Sequence, residues 1–457
     1  MENTNQLKGD MTSGNPLKLI VIFAIPILIG NIFQQLYNIV DTTIIGHVLG
    51  DNALASIGAT TPIYNLVINF ANGLTNGFAV IIARFYGKKD TELLKKSVGL
   101  TMVLTLMVSI ILTISSIIGI RPLLEFLNTP QDIIQDAQSY LMIILSFSII
   151  TMLYNMFAGM LRAIGNSRTP LYFLIISTMI NVVLDIIFVK YLSMGIKGAG
   201  YATVIAQLIS VILCVIYIYT KNPLLRIERK FIKYDSYLIN ELLTTGLSMG
   251  LMLAIVDIGS VALQSAVNSF GSQIITAHST ARKIDSIFML PLGTLSVACS
   301  TFSSQNFGAN RMDRVKQGII CGLKISFIWS TIAIVISIIC CDTISQAITG
   351  TLDTTILKTI KQYVTINVPF FYVLSILIIL RSSLQGIGKK IIPLSASIIE
   401  LISKFIAVKF VAPTFKYMGI CFLEPVIWTI CAILVGVAFA IYMKEYKVPK
   451  PEKQLSV

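Results

Sequence analysis

LRAIGNSRTP at residues 161–170 returns as LQGIGKKIIP at residues 384–393, the two sharing L-x-x-I-G-x-x-x-x-P at an offset of 223. RFYGKKDTELLKK (84–96) returns as NFGANRMDRVKQ (306–317), again a glycine leading into a basic loop, with Gly87 and Gly308 at an offset of 221. Met194-Gly195 returns as Met418-Gly419, 224 residues on. Three near-equal offsets spread over most of the chain imply a duplicated architecture with two similar halves. The basic stretch KNPLLRIERKFIKYDS (221–236) falls between them, which gives an N-terminal lobe over 1–220, a linker over 221–236 and a C-terminal lobe with its tail over 237–457.

What is duplicated follows from composition. Of 457 residues, 55% are hydrophobic and only 12% charged, and the mean hydropathy is +0.81, outside the range of soluble domains. About 20 apolar residues suffice to cross a hydrocarbon core as a helix. Twelve such runs are expected, at 17–45, 53–84, 97–120, 139–162, 170–190 and 198–220 (spans 1 to 6), and at 236–268, 273–305, 317–341, 362–382, 391–412 and 419–443 (spans 7 to 12). The fold class is therefore an all-α membrane protein with six helices in each repeat. Six is even, so both halves enter the membrane from the same side, as parallel repeats about an axis along the membrane normal.

Charge orients the chain. Alternate loops, the N-terminus and the tail hold 24 of the 35 Lys and Arg, while the opposite loops hold seven. The positive-inside rule then expects both termini in the cytoplasm and explains the net charge of +13 without a nucleic-acid partner. The first 16 residues are polar and the apolar run that follows has no small-residue cleavage site, so span 1 is expected to be retained rather than removed as a signal peptide. Seven cysteines, mostly within spans and without a CxxC pair, and two histidines suggest neither a disulfide framework nor a Cys/His metal site.

Ionisable groups at membrane depth need a reason. Five acids fall within the spans: Asp41, Asp185, Asp257, Asp285 and Glu400. Asp285 has Arg282 three residues before it and Glu400 has Lys404 four after, spacings that allow an ion pair on one helix face. Asp41, Asp185 and Asp257 have no Lys or Arg within four residues. A buried carboxylate without such a partner holds a proton or attracts a cation. Asp41, Asp185 and Thr203 each lie five residues from the outer end of spans 1, 5 and 6, so they share a depth, and Asn181 stands one turn deeper than Asp185 on the same face. Two carboxylates, an amide and a hydroxyl at one level form an oxygen-ligand set for a sodium ion or a shared proton. Helix-to-helix hydrogen bonding is the alternative use of the same groups.

Other polar stripes point to a wet surface or to helix packing, and not to lipid. Asn65, Asn69, Asn72 and Asn76 share a face of span 2, Gln34, Asn38 and Asp41 a face of span 1, and Asp257, Gln264 and Asn268 a face of span 7. A substrate cleft is expected to draw on Gln34, Tyr37, Asn38, Asn65, Asn69, Asp257 and Gln264.

IPILIGNIFQQLYNIVDTTIIGHVLG in span 1, ARFYGKKD after span 2, LRAIGNSRTP, NVVLD in span 5, GAGYAT opening span 6, QNFGANR and LQGIGKK together resemble the multidrug and toxic compound extrusion (MATE) family over essentially all twelve spans. That resemblance implies two lobes around a V-shaped cleft, and export of amphipathic, often cationic, compounds in exchange for Na⁺ or H⁺. It also implies a coupling-cation site at Asp41, Asn181, Asp185 and Thr203, the four residues that pairing and depth single out. One branch of the family uses further acids in spans 7 and 10. Asp257 approximates the first, but span 10, YVTINVPFFYVLSILIILR, has none. The expected protein is an antiporter of the cytoplasmic membrane, functional as a monomer, with no cofactor besides the coupling ion, with membrane lipid and a small amphipathic substrate as partners, and no enzyme. A flippase for a lipid-linked saccharide would call for about fourteen spans and basic groups lining the cleft, whereas the unpaired charges expected there are acidic. An intramembrane aspartyl protease would call for a GxGD-like context that NIVDTT and VVLDII lack.

Overall fold

Asn15, Asp90, Asp235 and Asp353 start four of the long helices, each accepting hydrogen bonds from backbone N–H groups of the first turn that have no partner within the helix. In the computed structural model, which describes residues 9–445, every regular element is helical. Lys8, Lys447, Lys450 and Lys453, part of the charge expected on one membrane face, lie outside the described residues.

The expected spans appear as helices Pro16–Leu49, Asp51–Lys88, Thr91–Phe126, Ile134–Ser146 with Ser148–Ala163, Arg168–Asp185, Ile196–Lys221, Ser236–Asn268, Ser272–Gly308 and Met312–Thr349, then Thr354–Asn367 with Phe371–Gly386, Ile391–Ile406, and Ala412–Glu445. Spans 11 and 12 separate at Lys416, whose φ of 51° breaks the last helix. Several helices outrun the hydrocarbon: 38 residues in span 2 correspond to about 57 Å of rise, so hydropathy located the apolar centre of each helix and not its ends. Span 4 is not straight. It bends by 46° at Phe147. Span 10 is interrupted by a 3₁₀ turn at Val368–Phe370, where Pro369 cannot donate to the helical ladder.

The duplication is written into the backbone. Positive-φ residues pair up across the halves: Gly50 with Gly271 and Lys89 with Asn310 at 221, Asn128 with Gly350 at 222, Gly165 with Gly388 and Ser193 with Lys416 at 223. Span 5 passes into a π-helical turn at Ile186–Tyr191, and span 11 into another at Ala407–Val411.

The halves meet through two GxxxG stretches, Gly73 to Gly77 on span 2 and Gly246 to Gly250 on span 7, which the sequence reading overlooked. A Cβ on Gly73 would lie 2.4 Å from the Met249 carbonyl oxygen, and one on Gly77 2.5 Å from the Gly246 Cα. Only glycine permits such an approach of two backbones. Further contacts gather at the end that carries the basic loops. Ser304 Oγ donates to the Val80 carbonyl (2.6 Å), Gln305 Nε2 to that of Ala163 (2.8 Å), and Arg84 pairs with Glu241 (3.2 Å). Toward the opposite end a cavity of about 870 Å³ lies among span 2, residues 126–130 and span 7.

Candidate cation site and cleft

Spans 1, 5 and 6 bring the four selected residues together. Asp41, Asn181, Asp185 and Thr203 are all buried, Asp185 completely. The carboxyl groups of Asp41 and Asp185 are within hydrogen-bonding contact. Two ionised carboxylates at that separation repel, so a proton or a metal cation between them is what makes the arrangement tolerable. With the Asn181 amide oriented to satisfy both its atoms, its Nδ2 donates to Asp185 Oδ2 (3.0 Å) and its Oδ1 accepts from the Thr203 N–H (3.2 Å). Tyr37 Oη and Thr203 Oγ1 are 3.1 Å apart. Asp41 Oδ1 and Asp185 Oδ1 are buried without a hydrogen-bond partner, and no Lys or Arg pairs with either acid among the described residues. These orphaned oxygens fit a small hard cation or a proton. The π-helical turn begins at the residue after Asp185, an irregularity often found where a helix serves a site. Tyr64 and Tyr140 stand close enough to Asp41 to feel its charge; neither was marked by spacing in the sequence.

Asn181, Thr203 and Tyr37 also face a cavity of about 260 Å³ inside the first half, with Gln34, Asn72, Asn76, Asn155 and Gln207 on its walls. The expected cleft set divides here. Gln34 and Tyr37 line this cavity, whereas Asn65, Asp257 and Gln264 line the larger one between the halves. Asn69 Nδ2 donates to Asp257 Oδ2 (2.9 Å), so Asp257 is held by an amide from the other half. Asn38 is exposed and lines neither cavity.

Three expectations need correction. The charge that lines the smaller cavity is basic and not acidic: Arg162 stands there, donating to Asn76 Oδ1 (3.3 Å), because the basic loop 161–170 begins inside the helix end and not beyond it. Arg282 pairs with Glu424 (3.7 Å) and not with Asp285 on its own helix. Glu424, buried in span 12, is an acid that the count of five missed, as is Glu241 near the start of span 7; the nearest basic residue to Glu424 in sequence is Lys416, so only tertiary packing shows that Lys404 pairs with it (3.3 Å). The expected Glu400–Lys404 pair is present at 3.0 Å.

Compared with known proteins, the chain matches the family described as MatE twice, over residues 26–187 and 248–410. The chain belongs to the MatE family. The two matched stretches are themselves offset by 222 to 223 residues, so the MatE unit is the repeat. Among MatE relatives, the probable multidrug resistance protein YoeA of Bacillus subtilis (strain 168) is 30% identical over 322 residues, covering 69% of this chain and 70% of that protein. The probable multidrug resistance protein YpnP of the same organism is 32% identical over 308 residues, covering 67% and 68%. A solved MOP superfamily transporter from Pyrococcus furiosus Vc1 (DSM3638) superposes with a TM-score of 0.89 at 21% identity, over 97% of this chain and 100% of that one. The MatE fold, all-helical with two six-helix repeats, is thereby established for this chain.

Proposed function

We propose that this protein exports small amphipathic compounds across the cytoplasmic membrane in exchange for an incoming Na⁺ or H⁺ held by Asp41, Asn181, Asp185 and Thr203. The observation that carries the reading is the contact between two buried carboxyl groups that no basic side chain neutralises. Both Bacillus relatives are named probable multidrug resistance proteins, which supports drug-like cargo. The basic end of the molecule is taken as the cytoplasmic face, with both termini there and the linker at 221–236 joining two lobes that rock against each other.

The cycle follows from differential affinity. A cation entering from outside binds between Asp41 and Asp185 and draws spans 1, 5 and 6 together. Asn181, Thr203 and Tyr37 belong both to that cluster and to the cavity wall, so ordering the cluster reshapes the cavity and weakens the hold on the cargo. Each ligand must favour one arrangement by a few kcal/mol, since equal affinity for both shifts nothing. The cargo leaves chemically unchanged. Asp41→Asn and Asp185→Asn each remove one charge at nearly constant volume; both are expected to insert at wild-type levels and to lose gradient-driven dye efflux from membrane vesicles. Undiminished efflux in both variants would remove the mechanism.

A further inference from the structure

The second half carries a buried charge cluster that the proposed cycle leaves idle, and its position is set by the repeat. Span 5 is bracketed by Gly165 and Ser193, and span 11 by Gly388 and Lys416, each pair of positive-φ residues 223 apart. Pro170 and Pro393 keep the same register inside the spans. At that register the counterpart of Asn181 is Lys404, and both residues lie about one turn before the π-helical turn of their helix. The counterpart of Asp185 is Val408.

Lys404 is 1% exposed. Its Nζ lies 3.0 Å from Glu400 Oε1 on its own helix and 3.3 Å from Glu424 Oε1 on span 12, the repeat counterpart of span 6. Arg381 of span 10 approaches Glu400 (3.8 Å), and Arg282 of span 8 approaches Glu424 (3.7 Å). Asp257 of span 7 is near enough to feel the ammonium, and the Lys404 stem packs against span 7 where a Cβ on Gly259 would meet it at 2.7 Å. Buried carboxylates thus sit on spans 1 and 5 in the first half (Asp41 and Asp185) and on spans 11 and 12 in the second (Glu400 and Glu424). In the first half those acids have no basic partner, and in the second a lysine stands between two of them.

We propose that the Lys404 ammonium is a tethered cation: from the position that repeats Asn181, one of the four first-half site residues, it fills the gap between Glu400 and Glu424, while Val408 and Ala262 stand where the repeat puts Asp185 and Asp41. The second half is then permanently loaded, and only the first half exchanges a cation during transport. This rests on the cation reading of Asp41 and Asp185. It also means that the two glutamates form a latent site for a small monovalent cation, which opens when the tether is removed. An ordinary interhelical ion pair would lose stability on substitution but gain no taste for particular cations.

The test uses full-length purified protein carrying Asp185→Asn, so that the first site is disabled. Thermal unfolding is followed in sodium, methylammonium and choline chlorides at equal ionic strength. With Lys404 intact the three salts should give the same Tm. Adding Lys404→Ala should lower Tm in choline, and sodium or methylammonium should restore it saturably by about 3 °C or more. Adding Glu424→Gln as well should abolish that response. Equal Tm in all three salts for the Lys404→Ala protein overturns the proposal, as does a cation response that survives Glu424→Gln. If Lys404→Ala alone yields no folded protein, Lys404→Ala/Glu400→Gln leaves one carboxylate facing the gap and is read the same way; absence of a cation-specific response there is equally fatal. A salt response already present before Lys404 is altered counts against the Asp41–Asp185 reading instead, so the two failures are told apart.

Discussion

Asn181 reaches Asp185 with its amide nitrogen and Thr203 with its amide oxygen, and so fixes how the Asp185 carboxylate faces Asp41. Removing such an orienting partner typically weakens a cation site by about 10- to 100-fold. Asn181→Ala should therefore raise the cation concentration that half-saturates export at least about tenfold, with the maximal rate largely kept, whereas Asp185→Asn should remove cation dependence altogether. Vesicle efflux measured over a range of cation concentrations distinguishes the two, and an Asn181→Ala curve that overlays the wild type would show that the amide only packs. These residues were legible because absence is legible: no Lys or Arg stands within four positions of Asp41 or Asp185, and helix rise places them at one depth. The opposite case was not legible. Glu424 and Lys404 are 20 positions apart in sequence and meet only through packing of spans 11 and 12, and the direction in which Arg162 points is a property of the helix end that residue spacing does not carry.

Between elements, the glycine crossing of spans 2 and 7 is a contact that leaves no room for a side chain. Gly77→Ala places a Cβ 2.5 Å from the Gly246 Cα and 2.8 Å from two other backbone atoms, none of which yields without moving the helix. Overpacking of this kind costs about 1 to 3 kcal/mol, so a clear fall in Tm is expected. Gly58→Ala is the control, since a Cβ there meets nothing within 4 Å and helix propensity favours alanine; equal effects of the two would contradict the packing argument. The linker offers a pH-dependent contact. Lys230 (2.8 Å), and then Lys95 of span 3 (2.5 Å), hold the Glu228 carboxyl down from its ordinary 4.5 to about 2. A depressed carboxyl contributes above its unfolded-state pKa and loses that contribution as pH falls through its folded one, here between about 4.5 and 2. Because the group is only half-buried, salt should screen it: Glu228→Gln is expected to shift Tm at neutral pH and low salt, and to leave it unchanged at high salt or at pH 2. The bend in span 4 and the 3₁₀ break in span 10 were not foreseen, since hydropathy averages over a helix and is blind to its axis.

Across the whole molecule, the two halves are joined by span 2 against span 7 and by hydrogen bonds at the basic end, where Ser304 and Gln305 of the second half grip Val80 and Ala163 of the first. Opening toward that face must break these contacts. A short cross-link between cysteines placed at 80 and 304, in a chain whose seven native cysteines are replaced, should stop export, and reduction should restore it; export that continues through the cross-link would mean that this end does not open. The twofold plan was readable from three sequence echoes, and five pairs of positive-φ residues at the same offsets show why: the turns that re-enter the membrane keep their backbone requirement while the span residues between them diverge. What divergence altered is the charge: among the described residues no Lys or Arg pairs with Asp41 or Asp185 in the first half, whereas Lys404 stands between Glu400 and Glu424 in the second.

The central claim is that a cation held by Asp41 and Asp185 drives export. Dye efflux from membrane vesicles under separately imposed sodium and proton gradients, in wild type and in Asp185→Asn at matched abundance, tests it most directly. The account predicts that one of the two gradients accelerates efflux in the wild type and that neither does so in the variant. Equal acceleration in both proteins, or none in the wild type under either gradient, would contradict it.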